Sequence, residues 1–275
     1  MSEQVSSYYE QFDEWGRLDT PAGRLEYERT LSYISKTLRS KSVILDLGGG
    51  PGRYAIALAA QGHTVSLIDL SAKLVEEARL RTVEARLEDR IPLISVGNAE
   101  DLSALESNSF DSVVALGPFY HLTEPSARKR AAHEIRRVLQ PEGIVFVAFI
   151  PRASGIAGLI IRAARDSAQV TAAVIERVVA DGVFENPTPH GFQDGYYPHV
   201  SEMEELFTSV GFTVIDLFSI RSLYFGAEDA AARIQENSPA TAVALERALN
   251  SLSRDRGLMA LGGHALLVLK GPTAV

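Results

Sequence analysis

Apolar residues along this chain fall into two alternating rhythms. Short aliphatic and β-branched runs at 43–47, 64–68, 91–96, 110–116, 144–150, 212–220 and 264–270 have the length and punctuation of strands. Between the first five lie stretches whose apolar positions recur every three or four residues, at 51–60, 71–86 and 126–139. Strands alternating with helices specify a parallel sheet with right-handed crossovers. Local stop and start signals agree. Ser71 is placed to cap its helix, Ser107, Asn108 and Ser109 make a turn before the fourth run, and the segment 137–143 reads as a tight turn before the fifth. Two helices precede the first strand, the second spanning 21–38 with Leu25, Leu31, Ile34 and Leu38 in step, Thr20 as cap and Pro21 at the first position.

After the fifth run the alternation stops. Residues 155–179 are rich in Ala and Val and read as one long helical segment, with Ile156, Leu159, Ile160, Ala163 and Ala164 on one face. Aromatics, histidines and turn formers crowd 184–199, and the whole of 151–199 reads as an inserted cap. If it is more than a surface loop, His190, Phe192, Tyr196, Tyr197 and His199 line a substrate wall. A helix over 201–210 follows, with Glu204 at the capping-box position and Gly211 ending it, and then the sixth strand. Helical patterns at 227–235 and 240–252 lead to the last strand.

The chemistry concentrates at the first strand-to-helix turn. There Asp46 is followed by Gly48, Gly49, Gly50 and Gly52, so the backbone can adopt dihedrals closed to other residues and a ligand can approach without meeting a Cβ. The following helix offers unpaired N–H groups. A dinucleotide fingerprint would need a third glycine where Arg53 stands, which argues against that ligand. Asp69, about twenty residues beyond the glycines, ends the second strand, where a carboxylate accepts hydrogen bonds from ribose hydroxyls. NAD-binding folds share that feature, so it does not discriminate.

Acidic-x-Gly-x-Gly-x-Gly, here Asp46, Gly48, Gly50 and Gly52, resembles motif I of the class I S-adenosylmethionine-dependent methyltransferases, and residues 136–147 resemble the end of the same family's core. The resemblance is good over 43–150, and for fold it reaches nearly the whole chain, whose ending is similar to a broad bacterial group of small-molecule methyltransferases. It implies a Rossmann-like α/β fold, a seven-stranded sheet with helices on both faces and the last strand antiparallel. It also implies a helical cofactor lid at 1–40, a cofactor-binding domain from 41–150 and 200–275, and the cap at 151–199. Family members often fold aromatic and arginine side chains of a leading helix over the cofactor, a role open here to Tyr8, Tyr9, Arg17 and Arg29, with Arg29 pairing with the cofactor carboxylate. The acid that reads the adenine amino group in the family is Asn98 here, followed by Ala99; Asp101 is a competing candidate. Leu116 and Gly117 would bring backbone to the methionine moiety, and Tyr120 and His121 would face the methyl donor.

Composition narrows the substrate. The 275 residues carry 27 basic and 35 acidic side chains, a net charge of −8, with no basic block. Nucleic acid is therefore not an expected partner. Absence of cysteine removes disulfides and thiolate metal sites. The N-terminus lacks the regions of a secretory signal, and the apolar stretch 143–161 is broken by Pro151 and Arg152, so neither half spans a bilayer. These features point to a soluble cytoplasmic protein with no membrane partner; they leave its oligomeric state open.

The expected activity is methyl transfer from S-adenosylmethionine to an oxygen or nitrogen of a small acceptor, with S-adenosylhomocysteine as product and no metal. Proton removal, where needed, falls to His121, His190 or His199, with Tyr120 orienting. Three rivals stand beside it: a nicotinamide-dependent oxidoreductase, an RNA methyltransferase, and a non-catalytic cofactor-binding partner subunit.

Overall fold

The computed structural model describes residues 13–188, 192 and 194–273. Its strands are β1 (Val43–Leu47), β2 (Thr64–Asp69), β3 (Leu93–Val96), β4 (Phe110–Ala115), β5 (Leu139–Phe149), β6 (Val183–Glu185), β7 (Asp194–Tyr196), β8 (Thr213–Ser219) and β9 (Ala265–Lys270). Seven of them form one sheet in the order β3-β2-β1-β4-β5-β9-β8. The first five are parallel, and β9 inserts antiparallel to both β5 and β8. This is the seven-stranded α/β arrangement that the alternation and the resemblance imply.

Both faces of the sheet are covered, which is why its strands read as continuous apolar runs rather than alternating ones. Leu45, Leu47, Val113, Val145, Val147 and Leu267 pack on one side against the helices Pro125–Val138 and Val200–Ser209. Ile44, Val65, Leu67, Val114, Phe146 and Val268 pack on the other, against Pro21–Thr37, Arg53–Ala60 and Ala72–Ala85. Strand order reverses between β1, whose neighbour is β2, and β4, whose other neighbour is β5. A crevice opens at such a reversal, beyond the carboxyl ends of the strands.

Caps fall where local chemistry puts them. Thr20 Oγ1 accepts from Gly23 N–H ahead of Pro21, and Ser71 Oγ accepts from Leu74 N–H. Elsewhere the structure departs from the pattern. The long helical segment breaks at Asp166 (φ −150°) into Arg152–Arg165 and Ala172–Asp181, the second capped by Thr171. The tight turn before the fifth strand is an irregularity within β5, with Glu142 at φ +59° and a register shift against β4. His199, not Ser201, caps the next helix; Glu202 Oε2 accepts from His199 N–H, while Glu204 pairs with Arg256. Among the described residues, no helix is long and apolar enough to cross a membrane.

Candidate functional site

A cavity of about 970 Å³, partly open to solvent, fills the crevice. Its floor is the glycine turn. Gly48 has φ +70°, and a Cβ there would lie 2.8 Å from Pro118. Gly49 has no unusual φ, yet its Cβ would stand 2.8 Å from the Asp46 carboxyl and 2.9 Å from Leu67. Gly50 N–H donates to Asp69 Oδ2 at 2.8 Å, which brings the ends of β1 and β2 together. Leu70, Ser71 and Leu74 line one side, and Leu116, Gly117, Pro118, Tyr120 and His121 the other.

The N-terminal helices make the roof. Glu14, Arg17 and Leu18 come from the first turn, and Glu26 and Thr30 from Pro21–Thr37, one helical turn apart on its inward side. Arg17 donates to Glu14 at 2.7 Å and to Glu26 at 3.2 Å, and Glu26 meets His264 Nδ1 at 2.9 Å. Arg53 fastens the roof to the floor: its guanidinium lies 4.7 Å from the Trp15 ring and 5.1 Å from that of Tyr27, and pairs with Asp19 at 3.1 Å.

Electrostatically the cavity favours a cation. Glu14, Glu26, Asp46 and Asp69 line it against Arg17 and Arg53, and Arg53 already has Asp19. Burial, reinforced by the charge of Asp69, pushes the Asp46 carboxyl up to about 7. One Asp46 oxygen has no hydrogen-bond partner. Asp69 and Glu14 are also raised, chiefly by burial. Burial works against ionising Glu26 as well, but His264, Arg17 and Arg221 outweigh it and hold this carboxyl well below its ordinary range. His121 is pushed down to about 4 by burial, which its hydrogen bond with the Asp194 carbonyl only partly opposes. Burial raises the Tyr120 hydroxyl above the usual tyrosine range, so it keeps its proton.

Asp46, Gly48, Gly50, Asp69, Leu116, Tyr120 and His121, all expected from sequence, thus meet at one cavity. Gly52 sits just behind it as the helix cap, at φ +90°. Other expectations are corrected. Arg29 points away, bound to Asn250 Oδ1 and, at 3.3 Å, to Glu246, because its position on the helix faces Pro239–Leu252; of the two expected arginines, Arg17 lines the cavity. Asn98 lies outside the lining, its amide oxygen accepting from Glu100 N–H, while Ala99 is buried in the core.

Nor do the described residues of the second half of the cap line the cavity. Tyr196 lies under the Arg128 guanidinium at 3.5 Å and donates to Glu202; Tyr197 packs over Gly155, whose Cβ would sit 2.5 Å from the ring. His199 is exposed at its helix cap. Phe192 comes nearest, with its ring centroid 5.1 Å from that of His121, as backing to the lining. Tyr9 and His190 lie outside the described residues.

Sequence reasoning passed over Glu14, Glu26, Thr30, Tyr54, Ala148 and Ile220. A signal existed for two of them. Glu26 and Thr30 are polar residues on the stripe that Gly23 and Ile34 mark as buried, where an acid needs a reason.

Comparison with known proteins gives the same picture. Residues 45–147 match the family model for the methyltransferase domain. Over 123 residues the chain is 34% identical to a ubiquinone biosynthesis O-methyltransferase of Xanthomonas oryzae pv. oryzae, covering 44% of this chain and 49% of that one. The chain thus matches about half the length of that relative. A S-adenosylmethionine-dependent methyltransferase from Methanosarcina mazei superposes with a TM-score of 0.61 at 18% identity, covering 88% of this chain and 98% of that one. A Burkholderia thailandensis 1,6-didemethyltoxoflavin-N1-methyltransferase, solved with its acceptor and S-adenosylhomocysteine, gives 0.57 at 16%, covering 98% and 85%. At these identities the structural likeness is one of fold.

Proposed function

We propose, from the match of residues 45–147 to the methyltransferase-domain model, that the chain is a class I methyltransferase that transfers the methyl group of S-adenosylmethionine to an oxygen or nitrogen of a small molecule. The observation that carries the reading is the acid-rich glycine cradle, with the unpartnered, buried oxygen of Asp46 in its wall. A ligand with a sulfonium and an ammonium matches those carboxylates. A pyrophosphate would be repelled by them.

When bound, the cofactor supplies an electrophilic methyl group on a cationic sulfur. The residues' work is to hold and shield it. Asp69, oriented by Gly50 and Ser71 N–H, is placed to accept ribose hydroxyls. Leu70 and Leu74 offer an apolar wall to an adenine. Asp46 and Glu14 line the part of the cavity suited to the cationic end, and Arg17, already paired with Glu14 and Glu26, is the roof guanidinium that a ligand carboxylate would share. Tyr120, which keeps its proton, has a hydroxyl able to donate a hydrogen bond to a ligand. His121, with its proton affinity lowered, shapes the wall rather than accepting a proton at neutral pH. The barrier is lowered chiefly by fixing donor and acceptor in attack geometry beneath the roof.

In this reading the N-terminal helices are the lid and 151–199 carries specificity from behind Phe192. Calorimetric titration with S-adenosylmethionine, S-adenosylhomocysteine, NAD and NADP, on wild type and Asp69→Ala, tests it. Micromolar binding of the first two alone, weakened by the substitution, is expected. Binding of a nicotinamide dinucleotide instead would overturn it. Salt-dependent RNA binding would favour an RNA substrate, and turnover of any acceptor would dispose of a non-catalytic role.

A further inference from the structure

The inner end of the cavity has a chemistry of its own. Beyond the glycine turn it runs under Glu26 and Thr30 to an apolar floor made by Ala148 at the end of β5 and Ile220 beyond β8. Thr30 is 1% exposed, and its Oγ1, near the Tyr54 hydroxyl, makes no well-formed hydrogen bond. A buried hydroxyl whose polar neighbour is a poorly aligned phenol is left under-satisfied, so this position is shaped for a polar group that arrives with a ligand. Beside it Glu26 is fixed by Arg17 at 3.2 Å and His264 at 2.9 Å.

We propose that this end is the acceptor subsite and that it takes a small amine, with Glu26 accepting one N–H bond, Thr30 meeting a second polar atom, and the apolar floor holding a compact hydrocarbon body. The inference rests on the methyltransferase reading and adds to it the acceptor's charge. Glu26 stays ionised across the physiological range because its two basic partners favour the carboxylate. An acceptor carboxylate or phosphate would face that fixed negative charge in a site sheltered from water, where like charges repel strongly. An amine that arrives as its ammonium ion is attracted instead; once it has given one proton to solvent it can donate one N–H to Glu26 and keep its lone pair for the methyl group. The nitrogen lone pair forms the new N–C bond as the C–S bond breaks with its electrons to sulfur. The resulting N-methylammonium then releases its proton to solvent.

Three probes of one shape separate charge from size: benzylamine, benzyl alcohol and benzoate, titrated calorimetrically into the S-adenosylhomocysteine-loaded protein, with Glu26→Gln and Thr30→Val beside wild type. Wild type is expected to bind benzylamine at least about tenfold tighter than benzoate. Glu26→Gln should erase that preference while holding S-adenosylhomocysteine within about threefold, and Thr30→Val should weaken benzyl alcohol and benzylamine alike. Equal or tighter binding of benzoate, or no binding of any probe in the millimolar range, overturns the proposal. So does a Glu26→Gln variant that loses S-adenosylhomocysteine in step with the amine, since Glu26 then serves the cofactor. Should Glu26→Gln fail to fold, the wild-type charge series and Thr30→Val decide. If wild type does not bind S-adenosylhomocysteine at all, the methyltransferase reading falls first, and this proposal with it.

Discussion

Replacing Asp46 by Asn tests whether the glycine turn stores an electrostatic cost that a cationic ligand releases. The carboxyl sits at the end of β1, 2% exposed, with one oxygen unpartnered and Asp69 nearby. Its folded value of about 7 lies above the ordinary 3.8, so between these two pH values the folded chain holds a proton that the unfolded chain has lost. Stability therefore falls as pH rises through that window, and the loss is complete above about pH 7. Three units correspond to roughly 4 kcal/mol at about pH 8, of which somewhat under half, about 1–2 kcal/mol, is already present at about pH 5. Asparagine has nearly the same shape and no charge to desolvate. The ligand-free Asn variant should thus gain on wild type by a further 2–3 kcal/mol or so between about pH 5 and 8, read by urea unfolding at each pH. The same variant should bind S-adenosylmethionine more weakly at about pH 8 and lose the proton release that wild type shows on binding near pH 6.5, measured by calorimetry in buffers of different ionisation enthalpy. A stability difference that is the same at both pH values, or wild-type binding without proton release, would refute the argument.

Other perturbations probe the remaining contacts. Gly49→Ala should destabilise by about 1–3 kcal/mol and weaken cofactor binding by driving a methyl into the Asp46 carboxyl, whereas Gly52→Ala should cost about 1–2 kcal/mol through its positive φ alone; urea unfolding with and without S-adenosylhomocysteine separates the two. Arg29→Ala should lower stability by about 1–2 kcal/mol by releasing Glu246 and Asn250 while leaving S-adenosylhomocysteine affinity unchanged, and Arg17→Ala should weaken that affinity by tenfold or so in the same titration. For His121 the folded value of about 4 lies below the ordinary 6.5, so its contribution is present above about pH 6.5 and lost as pH falls toward 4; His121→Gln should reduce that acid sensitivity in unfolding curves.

Much of this protein was legible along the chain, where a signal and its effect lie within a few residues. The strands of the parallel core announce themselves as apolar runs because both sheet faces are covered, and Thr20 and Ser71 cap their helices through bonds three residues away. Asp46, Gly48, Gly50 and Asp69 were readable for the same reason: strand, turn and helix fix their relation locally. Tertiary packing decided the rest. Of the two arginines expected at the cofactor, Arg17 ends the short helix Glu14–Arg17 that reaches the cavity, while the facing of Pro21–Thr37 gave Arg29 to Asn250, 221 residues away. Packing likewise turned Tyr196 and Tyr197 from a wall of the cavity into supports of the cap. Gly49, the motif's unnamed glycine, is hemmed in by two side chains because Asp46 and Leu67 converge on it from two strands. A side chain's role depends on which surface its element presents to a partner distant in sequence, and that partner's position is set by the closed packing of the whole sheet.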